Sequence, residues 1–415
     1  MEPAAARKPA LGFIFVTLVL VMLGIGIIIP VLPALVTQFK GGDIAESSGS
    51  FGLLMGAFGA MQFIASPILG SLSDRFGRRK VILVALSGTA IDYVIMGSAP
   101  TLGWLFLGRM ISGATAGVLA ACNAYVADVT PPEKRAQGYG LMGAAIGVGF
   151  VLGPTIGGLL GNHNPRLPFF AAAACVAVNV IYGAFVLPES LMPENRRPFS
   201  WKRANPVGSL LALRRFRGVM DLAWMYFILM LSQSMMQTVW ALYTTYRFQW
   251  TPRDVGLSLT CVGVTSAIVQ GGLVKRIIAF TGERKGLVCG LLISAIAMAG
   301  YGSATHGWMI YAIIVFGAWG GIAGPAAQAL ITTHVPPNEY GGVQGSLSGL
   351  SSLAYVFAPL LASWSFGKCI AANATWHAPG IAFYESSALT MIALALALRS
   401  FYVDDRVGAA ARAAA

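Results

Sequence analysis

Two ionisable side chains stand well inside long apolar stretches of this chain, Asp92 in "GTAIDYVIM" and Arg109 in "LGRMISG". A charge near the middle of a membrane-crossing helix costs about 2.5 to 3.5 kcal/mol on insertion scales, so an intramembrane charge is a candidate for a task. The turn between the two stretches is centred near residues 100 and 101. Each residue lies roughly 13 Å from that turn at 1.5 Å per helical residue, which sets the pair at matching depth. Burial disfavours the charged form of a carboxyl group, whereas a guanidinium keeps its charge. Asp92 is therefore a candidate proton carrier beside a fixed cation, Arg109. A permanent structural ion pair is the alternative that the residues leave open.

A second group of residues could hold a small molecule. Met230, Gln233, Gln237 and Trp240 recur at i, i+3, i+7 and i+10, one face of a helix. A thioether, two amides and an aromatic ring suit a planar amphipathic compound. Asn123 follows Arg109 by 14 residues and returns to nearly the same face, and Gln62 and Trp319 add polar and aromatic surface. Each of these could equally be an interhelical hydrogen bond or an aromatic anchor at lipid level.

A third pattern is steric. In "GFVLGPTIGG", Gly149, Gly153 and Gly157 recur every four residues and form a stripe without side chains, on which a neighbouring helix can approach closely. Gly158 follows, and Pro154 removes a backbone hydrogen bond and favours a bend. Static packing and a moving contact both fit this stripe.

The elements that must position these residues are membrane helices. The chain has 415 residues, 56% of them hydrophobic, with a mean hydropathy of +0.70, outside the range of a soluble domain. Twelve stretches are long enough to cross a bilayer: 11–36, 51–71, 81–99, 102–127, 138–160, 168–187, 218–243, 254–278, 286–304, 308–333, 343–366 and 380–402. The first continues too far to be a secretion signal, although Arg7 and Lys8 precede it. Cys122, Cys175, Cys261 and Cys289 fall in these stretches and Cys369 in a loop, so no disulfide framework is expected.

The net charge of +12 would suggest nucleic acid in a soluble protein, but its placement gives another account. With the amino terminus inside, 22 of the 28 Lys and Arg fall on inner segments and 5 on outer loops. That is the positive-inside bias of a multi-pass protein with both termini cytoplasmic, and it requires no nucleic-acid partner. The inner segment "GSLSDRFGRRK" (70–80) is the densest charge cluster, read as a loop with Gly70 and Gly77 at either end of Asp74.

A Pro- and Arg-rich linker, 188–217, divides the chain into halves of six stretches, 1–187 and 218–415. The halves echo each other. "TPPEKRAQGYG" pairs with "VPPNEYGGVQG", so that Pro131-Pro132 and Pro336-Pro337 lie 205 residues apart, as do Pro154 and Pro359. A degraded copy of the charged segment, "GGLVKRIIAFTGERK", begins 201 residues after the first. Repeated halves with a mid-membrane site between them are the architecture of secondary transporters; a duplicated scaffold or receptor is the bland alternative.

Gly70, Leu72, Asp74, Arg75, Gly77, Arg78 and Arg79 resemble the loop 2–3 signature of the major facilitator superfamily, and "GFVLGPTIGG" resembles the fifth-helix motif of its proton-coupled drug antiporters. "LGIGIIIPVLPAL", "GTAIDYVIM", "LGRMISGATAG", "PFFAAAA", "FVLPES", "YRFQW" and "VQGSL" are similar, in order, to the tetracycline-resistance exporter branch. The resemblance implies an all-α major facilitator fold of two pseudo-symmetric six-helix bundles, and proton-driven export of drug-like compounds by alternating access. It implies that Arg109 takes part in proton transfer, and that the glycine stripe meets the other half as a gate, so that Gly153→Leu abolishes transport without unfolding the protein. It pairs Arg78 with Asp128, a carboxylate otherwise ill-placed at a helix C-terminus, and sets Asp74 near the start of the eleventh helix. On this reading the charged loop is a latch between the halves.

The chain departs from that branch at Val21, Ser266 and Ser294, where an acid, a histidine and an acid are usual. A cationic metal–tetracycline chelate is therefore not the expected substrate. Glu385, near the outer end of the last stretch, is expected to snorkel to water. No P-loop, metal-ligand cluster or nucleophilic triad is present, and His163, His306, His334 and His377 lie in or beside loops. The expected protein is a monomeric exporter of the cell's inner membrane, not an enzyme, with no cofactor or metal and the proton as coupling ion. A facilitator or proton symporter for a small metabolite and a transport-inactive membrane sensor are the other classes the sequence allows.

Overall fold

The computed structural model describes residues 11–131, 134–199, 219–333, 335–336 and 339–414. Among these, twelve helices are long and apolar enough to cross a membrane, and there is no strand. They are α1 (Gly12–Phe39), α2 (Ile44–Phe76), α3 (Arg78–Gly97), α4 (Leu102–Val129), α5 (Gly140–His163), α6 (Leu167–Val186), α7 (Val219–Phe248), α8 (Pro252–Leu273), α9 (Glu283–Ser303), α10 (Gly307–Thr333), α11 (Val343–Ile370) and α12 (Ile381–Val403). The count matches the sequence reading. Helices prevail because hydrocarbon offers no partner for backbone N–H and C=O groups, which must bond within the segment.

Several spans are interrupted where the sequence weakens the helix. In α1 a turn separates Leu11–Ile28 from Leu32–Phe39, next to Pro30 and Pro33. In α4 the break between Thr115 and Val118 falls at Gly117. A π-turn occupies Val269–Leu273 in α8, and a tight 3-10 turn occupies Ala318–Ile322 in α10. Cys369 lies inside the last turn of α11 rather than in a loop. The linker 188–217 is described only as far as residue 199; Pro132, His334 and Pro337 also lie outside the described residues.

The charged segment 70–80 differs from the expected loop. α2 stays helical through Phe76 and α3 starts at Arg78, so Gly77 alone makes the reversal, with a φ of +101° that other residues rarely adopt. Gly282 stands between the next pair of helices in the other repeat with a φ of +78°. The two glycines are 205 residues apart, the same offset as the proline pairs, so the repeat is in register at the turn.

The chain divides into two compact units. The first comprises Met1–Leu35, Ala57–Asn205 and Thr251–Thr260; in it α1 packs on α5 and α6, and α3 packs on α4 and α6. The second comprises Val36–Gly56, Pro206–Trp250 and Cys261–Ala415; in it α7 packs on α11 and α12, and α9 packs on α10 and α12. Leu222, Leu229, Leu291, Ala327, Leu347 and Ala393 are among the buried residues of its core. The opening turns of α8 thus belong with the first unit, and the opening turns of α2 with the second.

Candidate transport site and gating contacts

Asp92 is completely buried in α3. The Ser112 hydroxyl, one turn beyond Arg109 on α4, donates to its Oδ2. Its Oδ1 has no hydrogen-bond partner. Gly108 makes this close approach feasible, since a Cβ there would lie 2.9 Å from that Oδ1. Arg109 is buried too and interacts electrostatically with Asp92. Its guanidinium carbon sits 4.4 Å from the centre of the Phe58 ring on α2, a cation–π contact that stabilises a charge away from water. The centre is therefore a carboxyl group with one free oxygen, a hydroxyl donor and a cation held on an aromatic face. Ser112 and Gly108 escaped the sequence reading, although their spacing from Arg109 carried the signal.

The other candidate contacts separate by environment. Gln62 in α2 has a buried Oε1 with no hydrogen-bond partner, which suits a ligand or proton path, while Asn123 is exposed on α4. In the second unit Met230 and Gln233 are half-buried and Gln237 is exposed. Trp319, in the tight turn of α10, is 40% exposed. Trp240 does not join them: it is 3% exposed and packs edge-on against Tyr301 and Phe383, with ring centres 5.1 and 6.3 Å away. Ten residues at 100° each leave it about 80° off the direction of Met230, enough to turn it into the packed side.

The charged turn is a network inside the first unit. The Arg78 guanidinium donates to the Asp74 carboxylate (2.5 Å), the Ser73 hydroxyl (2.6 Å) and the Asp128 carboxylate (3.1 Å). The Arg78–Asp128 contact joins the start of α3 to the end of α4. Asp74 is thus bound by its neighbour four residues on, and its carbonyl accepts the Arg197 N–H. Glu189, after α6, accepts the backbone N–H of Arg78 (2.8 Å) at the start of α3, where the helix dipole favours an anion. Its carboxylate fills the space beside Gly77, so a Cβ at Gly77 would collide with it. Ser190 donates to Asp128 (3.1 Å). Glu189 is 111 residues from Arg78 in sequence, and no local pattern announces it. Gly70, in contrast, lies within α2 with open space where a Cβ would be, so nothing there requires glycine.

The glycine stripe corrects a second expectation. Gly149, Gly153 and Gly157 face α1, in the same sequence half: a Cβ at Gly153 would lie 2.7 Å from the Leu23 carbonyl and 2.8 Å from the Gly26 Cα. Contact with the opposite half belongs to the neighbouring face about 100° around the helix. Gly158 meets the Pro252 carbonyl, and Gly256 of α8 sits against the Pro154 carbonyl. Thr155 and Thr260 share a hydrogen bond of 2.5 Å across the same seam. The described cysteines are free, and among the described residues no group of acidic, His or Cys side chains could hold a metal ion.

The chain as a whole has counterparts among known proteins. A family model for the Major Facilitator Superfamily matches residues 14–223 and again 222–414, nearly the whole chain. The chain belongs to the major facilitator superfamily. The chain is 37% identical to the class C tetracycline resistance protein of Escherichia coli over 385 residues, 93% of this chain and 95% of that protein. It is 31% identical over 347 residues to Multidrug resistance protein 2 of Bacillus subtilis, covering 82% and 84% of the two chains. Among solved structures it superposes on a nucleoside transporter with a TM-score of 0.77 at 12% identity, covering 94% and 99% of the two chains. A human organic anion transporter gives 0.71 at 24% identity, covering 95% and 100%. At those identities the structural likeness speaks for the fold.

Proposed function

We propose that this protein is a proton-coupled exporter of amphipathic drug-like compounds that works by alternating access in the inner membrane, with both termini cytoplasmic. The observation that carries the reading is the Asp92 centre, a fully buried carboxyl group with one oxygen free of hydrogen bonds. Inward proton flow loads Asp92, Arg109 holds a fixed charge beside it, and the changed charge balance biases one access state over the other. Gln62, Asn123, Met230, Gln233, Gln237 and Trp319 are the substrate contacts in this scheme. Trp240 supports the second unit's packing instead.

Gating divides between two places. The Arg78 clamp with Asp74, Asp128 and Gly77 acts on the inner side. The Pro154 and Gly158 face of α5 against α8 acts at the other end, while Gly149, Gly153 and Gly157 keep α1 and α5 together as one moving body. The halves 1–187 and 218–415 rock about the linker 188–217, and a single chain suffices. The named relatives favour export of an antibiotic-like molecule. Val21, Ser266 and Ser294 favour one other than a cationic metal–tetracycline chelate.

The test is transport in everted membrane vesicles with an imposed proton gradient. Asp92→Asn keeps the shape and removes the titrating group, and is expected to abolish gradient-driven accumulation. Unaltered accumulation would assign Asp92 a structural role only. The direction of substrate-induced proton movement separates export from symport, and counterflow in proteoliposomes separates both from a ligand sensor.

A further inference from the structure

Glu385 is held by a neighbouring helix as well as lying near a helix end. It lies in the second turn of α12, half-buried, and the hydroxyl of Ser365 on α11 donates to its Oε2 at 2.8 Å. No Lys, Arg or His among the described residues lies within ion-pair distance of it. The acids at helix ends are served differently: Asp74 and Asp128 share Arg78, Glu46 pairs with Lys40, Asp405 with Arg284 and Asp221 with Arg399. Asp92 and Glu385 alone, of the carboxyl groups well within the described spans, have a serine hydroxyl from a helix adjacent in sequence as hydrogen-bond partner. Asp92 lies five residues before the end of α3, and Ser365 five residues before the end of α11, which is about 7.5 Å along either helix. Each unit thus carries one carboxyl group bonded to a serine hydroxyl within two turns of a helix end.

We propose that Glu385 with Ser365 forms a second protonation site, carried by the second unit and open to the outer aqueous phase. The step is a proton transfer: water on the outer side gives up H⁺, an O–H bond forms on the Glu385 carboxylate, and its negative charge is neutralised. Without a cation, ionised Glu385 is an uncompensated charge in the membrane, a state that protonation relieves. Ser365 Oγ donates to the carboxylate and also contacts the Ala362 carbonyl at 3.2 Å, so the hydroxyl can reorient when the carboxyl group becomes a donor. The titratable groups on the surrounding elements at the Glu385 end are Tyr243, Tyr246 and Arg247 of α7, Tyr301 of α9, Lys368 and Cys369 of α11, His377 in the loop before α12, and Tyr384 beside Glu385. Tyr243 is bonded to the Tyr301 carbonyl, Tyr246 to His377 and Tyr384 to Ser303, while Lys368 lies over the Trp364 ring. The inference rests on the proton-coupled reading for its use in transport, though not for its existence.

Infrared difference spectroscopy of the full-length protein in lipid nanodiscs, titrated with pH and without substrate, reads the C=O stretch of protonated carboxyl groups directly. The expected result is two buried components. Glu385→Gln, which retains the acceptor for Ser365, removes one and leaves the other; Asp92→Asn does the reverse; Ser365→Ala shifts the midpoint of the Glu385 component. A Glu385→Gln spectrum identical to the unaltered protein would overturn the proposal. Failure of the export reading has a different signature, with both components intact and no substrate-induced proton movement. If the site is used in transport, Glu385→Gln also lowers the number of protons exchanged per substrate.

Discussion

The close contact of α5 with α1 yields a prediction whose size follows from the geometry. A Cβ at Gly157 would fall on the Ile27 carbonyl and 2.7 Å from the Ile27 Cα, both backbone atoms that cannot swing aside. Non-bonded carbon atoms settle at about 3.5–4.0 Å, so Gly157→Ala must part the two helices by roughly 1 Å. Overpacking of this kind costs about 1–3 kcal/mol. Gly147, on the same helix, has nothing within 4 Å of its would-be Cβ. There alanine gains the roughly 0.5–1 kcal/mol that glycine forfeits in a helix interior. The two variants should therefore differ by about 1.5–4 kcal/mol, with Gly157→Ala the less stable. Thermal unfolding of the purified protein, followed by the loss of its helical circular dichroism, measures the difference. Equal midpoints for the two variants would refute the claim that the stripe is a backbone contact. The same geometry revises the expectation for Gly153→Leu, which should now lose folding yield together with transport.

Three further outcomes follow. Gly77→Ala meets both an unfavourable φ and the Glu189 carboxylate, whereas Gly282→Ala meets only the φ; strain alone is worth about 1–3 kcal/mol, and a Gly77 midpoint no lower than that of Gly282 would contradict the clash. Arg78→Lys replaces a fork that reaches Asp74, Ser73 and Asp128 by a single ammonium; a loss of about 1–2 kcal/mol in thermal stability and slowed transport are expected, and unchanged values of both would remove the clamp. Thr155→Val and Thr260→Val should each cost about 0.5–1.5 kcal/mol, and the double variant less than their sum, because the bond between the two hydroxyls is lost in both, although each hydroxyl also bonds to a carbonyl of its own helix; full additivity in that cycle would deny the α5–α8 bond.

Much of the architecture follows from local sequence because it depends on local physics. The apolar run lengths give twelve spans, since hydrocarbon thickness sets the helix length and backbone satisfaction forbids other forms. The same rule singles out Asp92 and Arg109, whose charges have no inexpensive place in such spans. The 205-residue offset of the prolines carries over to the turn glycines Gly77 and Gly282, because each repeat needs a left-handed residue at the same reversal.

Partners and faces are another matter. Periodicity places Gly149, Gly153 and Gly157 on one stripe, but which helix lies on it depends on the packing of the whole unit, and that packing chose α1. Helical spacing likewise aligns Trp240 with Met230 only approximately, and the aromatic cluster of Tyr301 and Phe383 takes the difference. The Glu189 cap on α3 and the Ser365 bond to Glu385 join residues 111 and 20 positions apart on different elements. Hydrogen bonds reach about 3 Å and are blind to chain distance, so only the tertiary structure could decide them.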